Sequence, residues 1–358
     1  MTKKIIFSSG GTGGHIFPTI NLMKHFFNKG YKVLLVTDTR AKSFLEKDLT
    51  FETYILKTDT PTNKNFIKKI ISIFKIIHTI ISSIFILKKE KPDLIFGLGG
   101  YVSFPISFAS RFLKLPLVIY ENNLVLGRTN KYLGTFSKKI LVAKKISKNF
   151  PEKYINKIYE VGAILDKNIL NNSNIKKNKE DIFSVLVLGG SQGAEIFGDI
   201  VPTAIKKIKD SGYQIEINQQ CISKQKNLLV NFYNENSIKN NVFEFNKNIL
   251  NLIFSADLAI SRCGASSTAE LVCGKTPFIA VPLPGSIDNH QLLNAKYYEN
   301  RGCCWILEQN NFSSNNLFNL IINIIKDKKK LEFMKQKMSK EINYDVYNNI
   351  ENEIKEFI

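Results

Sequence analysis

Short apolar runs recur along the chain, and between most of them apolar residues return every third or fourth position. Lys4-Ile5-Ile6-Phe7 is the first run, followed by Lys32–Thr37, Leu94–Gly97, Leu117–Tyr120 and Ile140–Ala143. A second series begins at Phe183–Leu188 and continues with Tyr213–Asn218, Leu258–Ser261 and Pro277–Pro282. Uninterrupted apolar runs of this length predict strands buried on both faces. Their alternation with helical stretches predicts an α/β protein built from parallel sheets with crossover helices.

Three of the runs end in glycine: FSSGGTGGH at 7–15, GLGGYVSFP at 97–105 and LGGSQGA at 188–194. The first is no Walker loop, because no Gly-Lys-Ser/Thr follows, and GxGxxG fails at Ile16. What remains is a strand, a glycine turn and a helix predicted to begin near Pro18, whose free N–H groups can receive an anion. Residues 3–26 are echoed by 183–208, and the Gly-Gly pairs at 10–11 and 189–190 lie 179 residues apart, half the chain. The duplication predicts two Rossmann-like, doubly wound parallel-sheet domains facing a cleft, with ligands at the carboxyl ends of the strands. The expected domains are 1–160 and 161–340, with the hinge near Gly162 and a C-terminal helix over 341–358 returning to the first domain. The polar stretch Asn171–Asp181 reads as a surface segment.

Composition changes the picture in one respect. A chain of 358 residues with 44% hydrophobic content has material for two ordinary cores. Five cysteines without CxxC spacing point to reduced thiols and no zinc site. Met1-Thr2-Lys3-Lys4 leads directly into the first strand, so no cleavable leader is expected. The net charge of +19 is uneven: residues 1–160 carry +17 and the remainder +2. Uniform enrichment in Lys, Asn and Ile would not load one half so heavily, so the first half is expected to meet an anionic surface. Within it, Ile70–Leu87 is apolar over 18 residues, the lower edge of a membrane span. Lysines at its flanks and centre favour a helix that packs on the domain and touches lipid headgroups, against the alternative of a buried crossover helix.

The densest chemistry lies in SRCGASSTAELVCGKTPFIAVPLPGSIDNHQLLNA, Ser261 to Ala295. A helix predicted to start near Ser266 offers a first turn of hydroxyls and small residues, suited to a diphosphate at the positive end of its dipole. Glu270, one turn in, either accepts ribose hydroxyls or serves as a capping glutamate. Gln291 and Asn294 share a helix face and suit neutral sugar hydroxyls, or are simply solvated polarity.

GGTGGH at 10–15, GGYVSFP at 99–105, ENN…GRTN at 121–130, GGSQGA at 189–194, SRCGASSTAE at 261–270 and DNHQLLNA at 288–295 together resemble, in order and spacing, the MurG family. These are bacterial N-acetylglucosaminyltransferases that convert lipid I to lipid II in peptidoglycan synthesis. The resemblance covers nearly the whole chain. It implies the B-type glycosyltransferase fold, with UDP-N-acetylglucosamine on the C-terminal domain. It also implies that the N-terminal domain holds the undecaprenyl-diphosphate acceptor at the cytoplasmic face of the inner membrane, as a peripheral protein. By position, Thr12, Gly13, Gly14, Asn123 and Ser191 would touch the donor. Ala265, Ser266, Ser267, Thr268, Ala269 and Glu270 would cradle its diphosphate and ribose, and Gln291 would read the sugar, with Asn294 beside it. Gly13, Gly14, Gly100 and Tyr101 would receive the acceptor diphosphate. Two positions depart from the family: Asp166 stands where an arginine is usual, and Asn246 falls at the uracil-contacting position.

Such a transfer needs a base for the attacking hydroxyl and positive potential on the departing diphosphate. His15 is the first candidate for the base and Glu121 the second; a purely structural donor role for His15 stays open. No Asp-x-Asp ends a strand, so no metal and no cofactor is expected. Two other UDP-sugar enzymes of this fold remain as alternatives, a UDP-N-acetylglucosamine epimerase and a lipid A disaccharide synthase. A basic nucleic-acid-binding protein is the last alternative and the weakest, and nucleic acid is not expected as a partner, because the basic residues are not interleaved with aromatics and no nucleic-acid motif occurs.

Overall fold

The computed structural model describes residues 2–10, 13–41, 51–57, 66–145, 150–171, 182–190, 193–246 and 248–358, with only the backbone of 66–69 and 171. Thr12, Ser191 and residues 172–181 therefore lie outside the described residues. The chain divides into two compact units, Met1–Asp166 with Asn343–Ile358, and Lys167–Ile342.

In the first unit, strand β1 (Lys4–Ser8) leads into helix α1 (Gly13–Asn28), then β2 (Lys32–Thr37), β3 (Glu52–Ile55) and α2 (Phe66–Glu90). There follow β4 (Leu94–Gly97), α3 (Ser103–Phe112), β5 (Leu117–Glu121), α4 (Arg128–Leu133), β6 (Lys139–Val142) and β7 (Ile158–Glu160). All pairings are parallel, in the order β3-β2-β1-β4-β5-β6-β7. Alternate residues serve opposite helix layers. Ile6 joins a core with Ile106 of α3 and Leu87 of α2, whereas the ring of Phe7 lies 6.0 Å from that of Phe26 on α1.

Helix α1 begins at Gly13, five residues before the predicted start at Pro18. Proline inside a helix forfeits one backbone bond, but Ile16, Ile20, Leu22, Met23 and Phe26 are buried along this helix, and that packing outweighs the loss. The correction matters, because it puts Gly13, Gly14 and His15 in the first turn.

The second unit runs α5 (Lys167–Asn171), β8 (Phe183–Leu188), α6 (Glu195–Asp210), β9 (Ile215–Gln220), α7 (Lys226–Glu235), β10 (Lys239–Phe243) and α8 (Ile249–Ser255). It continues with β11 (Leu258–Ser261), α9 (Ala265–Cys273), β12 (Phe278–Ala280), α10 (His290–Glu299), β13 (Cys304–Ile306), α11 (Ser314–Lys326) and α12 (Lys328–Ser339). Its sheet has the order β10-β9-β8-β11-β12-β13, again parallel throughout. Both sheets thus repeat one topology, in which strand order reverses beside the first strand. Ligands of such sheets bind outside the carboxyl ends at that reversal. The reversal falls between β1 and β4 in one unit and between β8 and β11 in the other, and the strands there end in the glycine loops.

The last helix, α13 (Val346–Ile354), belongs to the first unit. Val346, Tyr347, Ile350 and Ile354 are buried. Asn343 and Asn349 each donate to the Val161 carbonyl at 3.2 and 3.3 Å, and the Tyr347 hydroxyl donates to Leu165 at 2.6 Å.

Candidate active site

At the first reversal point the glycine loops after β1 and β4 pack directly on one another. Gly99 and Gly100 have φ of +93° and +80°, a region that L side chains rarely occupy. A Cβ on Gly100 would lie 2.5 Å from the Gly10 carbonyl oxygen, and one on Gly99 would lie 2.8 Å from Nδ1 of His15. These positions are glycine because backbone and imidazole already fill the space. Gly13 and Gly14 open α1, whose first N–H groups have no acceptor within the helix. Tyr101 is half-buried, and the Gly100 carbonyl accepts from the Ser103 hydroxyl at 2.7 Å, where α3 begins.

His15 Nδ1 lies 3.1 Å from the Leu98 carbonyl oxygen. A carbonyl only accepts, so the geometry assigns the proton to Nδ1, and a neutral ring then carries its lone pair on Nε2. That is the tautomer a general base needs.

Glu121, the second candidate base, is held differently. It is buried at the end of β5, and Oε1 accepts from the backbone N–H and the Nδ2 of Asn123, at 3.1 and 3.0 Å. Oε2 accepts from the Gly127 N–H and Asn130 Nδ2, both at 2.9 Å. Two bonds on each oxygen fill the carboxylate's accepting capacity.

In the second unit α9 starts at Ala265, one residue before the predicted position. Its N-cap Gly264 brings no capping side chain, and a Cβ there would meet nothing within 4 Å. The first helical bond runs from Thr268 N–H to Gly264, so the N–H groups of Ala265, Ser266 and Ser267 lack intrahelical acceptors. The Thr268 hydroxyl turns back to the Gly264 and Ala265 carbonyls, and Thr268 and Ala269 are buried. Within the turn, therefore, the backbone and the half-buried Ser266 and Ser267 are what a diphosphate could meet. Glu270 is half-buried in the second turn.

Gln291 and Asn294 do come together on α10, but around the backbone of Cys263. Gln291 Oε1 accepts from the Cys263 and Leu283 N–H groups at 3.1 and 3.0 Å, while Asn294 Nδ2 donates to the Cys263 carbonyl at 3.0 Å. Asn294 is only 2% exposed, so it aims the residue before the N-cap instead of facing solvent polarity. The Asn246 side chain caps its own turn by accepting from Asn248 N–H at 2.7 Å. Asp166 is half-buried at the chain's exit from the first unit, and with burial it raises the Tyr347 phenol.

Sequence reasoning missed Arg262. Buried directly after β11, it donates to the Val281 and Pro282 carbonyls at 3.1 and 3.3 Å and to Gln309 Oε1 at 2.7 Å, with its guanidinium 5.1 Å above Phe197. It ties together the ends of β11 and β12. The available signal was a charged residue placed immediately after an apolar strand.

Helix α2 has two unlike faces. Ser72, Thr79, Ser83 and Leu87 are buried, whereas Phe74 and Phe85 are each 67% exposed, with Ile71, Ile77 and Ile81 nearby in the same helix. Among the described residues, Ile70–Glu90 is the one helix long and apolar enough to cross a membrane. It is also the crossover between β3 and β4, packed against α3.

Two doubly wound sheets of one topology, each with glycine loops at its reversal point, make up the B-type glycosyltransferase fold. The sequence matches the glycosyltransferase family 28 N-terminal domain over residues 5–142 and the C-terminal domain of that family over 184–350. It is 37% identical over 353 residues to the UDP-N-acetylglucosamine--N-acetylmuramyl-(pentapeptide) pyrophosphoryl-undecaprenol N-acetylglucosamine transferase of Pelagibacter ubique, covering 98% of this chain and 97% of that one. The similarly named protein of Rickettsia canadensis is 37% identical over 92% of this chain and 93% of its own. Among solved structures, MurG of Acinetobacter baumannii superposes with a TM-score of 0.79 at 25% identity, over 99% of both chains. The chain belongs to glycosyltransferase family 28, and within it to the MurG family.

Proposed function

We propose that this protein transfers N-acetylglucosamine from UDP-N-acetylglucosamine to the muramoyl 4-hydroxyl of lipid I, releasing UDP and lipid II. Full-length identity of 37% to transferases named for that reaction carries the reading. The sites described above supply its chemistry. The hydroxyl oxygen attacks the anomeric carbon as the bond from that carbon to the diphosphate oxygen breaks, with inversion. The bonding pair leaves with UDP, and the hydroxyl proton passes to Nε2 of His15. Charge developing on the diphosphate meets the N–H groups that open α9, where a helix start favours anions without rearrangement. Glu270 accepts the ribose hydroxyls, Gln291 holds the cradle and reads the sugar, and Gly13, Gly14, Gly100 and Tyr101 receive the acceptor diphosphate.

The test is transfer of labelled N-acetylglucosamine to lipid I, with epimerised sugar assayed in parallel. Lipid II formation without epimerisation is the expected result. Epimerised sugar without lipid II would instead favour the epimerase reading.

The exposed face of α2 and the +17 charge of residues 1–160 support peripheral attachment to an anionic bilayer at the cytoplasmic face. Replacing Phe74 and Phe85 with serine is expected to weaken binding to vesicles containing anionic lipid by at least tenfold, since burying a large apolar side chain is worth about 1.5–3 kcal/mol. Equal sedimentation of both proteins with vesicles would remove α2 from the membrane contact.

A further inference from the structure

In the second unit β9 lies between β8 and β10, and Gln220 at its end touches the turns that follow both neighbours. Its Oε1 accepts from the Gly189 N–H at 3.1 Å, and its Nε2 donates to the Glu244 carbonyl at 3.2 Å. A backbone N–H only donates and a carbonyl only accepts, so the two partners assign the amide one and the same orientation. Further contacts flank it on either side. The Cys221 N–H donates to the Phe243 carbonyl at 2.9 Å, and a Cβ on Gly193 would lie 2.7 Å from Cγ2 of Ile222.

Gly189 is buried where the chain turns away from β8, and Gly190 follows with φ of +82°. A buried N–H without an acceptor is costly, and here a side chain from the neighbouring strand supplies one. At the other end of the amide, the Ser223 hydroxyl donates to the Glu244 carboxylate, and Phe245 beyond it is 64% exposed. One half-buried side chain therefore ties the glycine turn after β8 to the turn after β10.

We infer that Gln220 is a positioning residue for the nucleotide of the donor, keeping the glycine turn that meets the diphosphate and the turn that meets the base at one spacing. The inference rests on the proposed use of UDP-N-acetylglucosamine and gives Gln220 itself no contact with the donor. Methionine at position 220 has nearly the same length and makes neither bond. Glutamate still accepts from Gly189 but sets a carboxylate oxygen against the Glu244 carbonyl, so it should disturb the second turn alone.

Calorimetric titration of the full chain with UDP and with CDP tests this, with folding checked by circular dichroism. The donor KM and kcat are read alongside in transfer to lipid I. Gln220→Met is expected to weaken UDP binding about 2–12-fold, the net worth of one neutral hydrogen bond, and to raise the donor KM in parallel with kcat nearly constant. It should also narrow the preference for UDP over CDP. Gln220→Glu should narrow that preference as far, with a smaller loss of UDP affinity. An unchanged Kd for UDP in Gln220→Met would overturn the inference, as would a loss confined to kcat or to the melting temperature. If Gln220→Met does not fold, Gln220→Glu decides, and a wild-type preference for UDP over CDP in that variant would overturn the inference. Wild-type protein that binds UDP but forms no lipid II would count against the proposed reaction alone, whereas wild-type protein that binds no UDP would count against both.

Discussion

The glycine turns of the two units look like copies in sequence and differ in what surrounds them. In the first unit the loop is full: Gly100 backs onto the Gly10 carbonyl and Gly99 onto the ring of His15. In the second, a Cβ at Gly190, Gly264 or Gly285 would meet nothing within 4 Å, although Gly189 is pressed against Ala194. One set of glycines lets the protein pack on itself and hold an imidazole. The other set is mixed: Gly193 sits against Ile222, while Gly264, which precedes the first turn of α9, faces open space. One topology thus carries two kinds of glycine turn, one packed around an imidazole and one with open space beside its glycines.

The sharpest way to break that division is to remove one group from each side. His15→Ala is expected to lower kcat by about 10²–10⁴-fold, the usual worth of a general base, with the donor KM little changed. A variant that alters only KM would show that the first unit also merely binds. Glu270→Gln should do the converse, raising the donor KM with kcat nearly constant. Loss of a hydrogen bond to a charged group costs about 1.5–3 kcal/mol, or roughly 10–150-fold. An unchanged KM would take Glu270 out of the cradle.

The glycines themselves give a smaller, structural contrast. Gly100→Ala combines a left-handed backbone with a clash against the Gly10 carbonyl and should cost about 1–3 kcal/mol of stability. Gly264→Ala has ordinary φ and open space, so it should cost less than about 1 kcal/mol of stability, mainly through the N-cap position, while the donor KM rises. Equal melting losses in the two variants would erase the distinction between packed and open loops.

The smallest expected effect lies away from both loops, where α13 clasps the first unit. Burial works against the Glu351 charge, but hydrogen bonds from Lys29 and His25 outweigh it and hold the carboxyl below its ordinary value. A carboxyl depressed on folding stabilises above its unfolded value, about 4.3, and loses that contribution as pH falls towards its folded value. Glu351→Gln should therefore lower the melting temperature at pH 7 by an amount equivalent to about 0.5–1 kcal/mol. The gap should close as pH is taken below about 4. A gap that persists in acid would assign the effect to packing.

The central strands were legible because β1, β4, β5 and β11 are apolar over most of both faces, as buried parallel strands commonly are. The edge strands β3, ETYI, and β10, KNNVF, were not, since exposure on one side lets them carry polar residues. Strand β9 was placed two residues early because it ends in Gln219 and Gln220. Gln219 is nonetheless wholly buried, with the Tyr233 hydroxyl donating to it at 2.5 Å. Among the site residues, the α9 turn was readable from small and hydroxyl residues after a strand. Its internal division was not, because only packing turns Thr268 and Asn294 inward and leaves Ser266 and Ser267 at the surface of the turn.

By itself the sequence determined two parallel sheets of one plan, the glycine loops at their strand ends and membership of the MurG family. These follow from periodicity and local spacing, which act over a few residues, and from motifs kept in register. The tertiary structure decided what each polar group holds. His15 meets a carbonyl 83 positions away, and the Glu121 carboxylate accepts from Asn123, Gly127 and Asn130. A hydrogen bond depends on direction and distance between particular atoms, and those are set only when distant segments pack together.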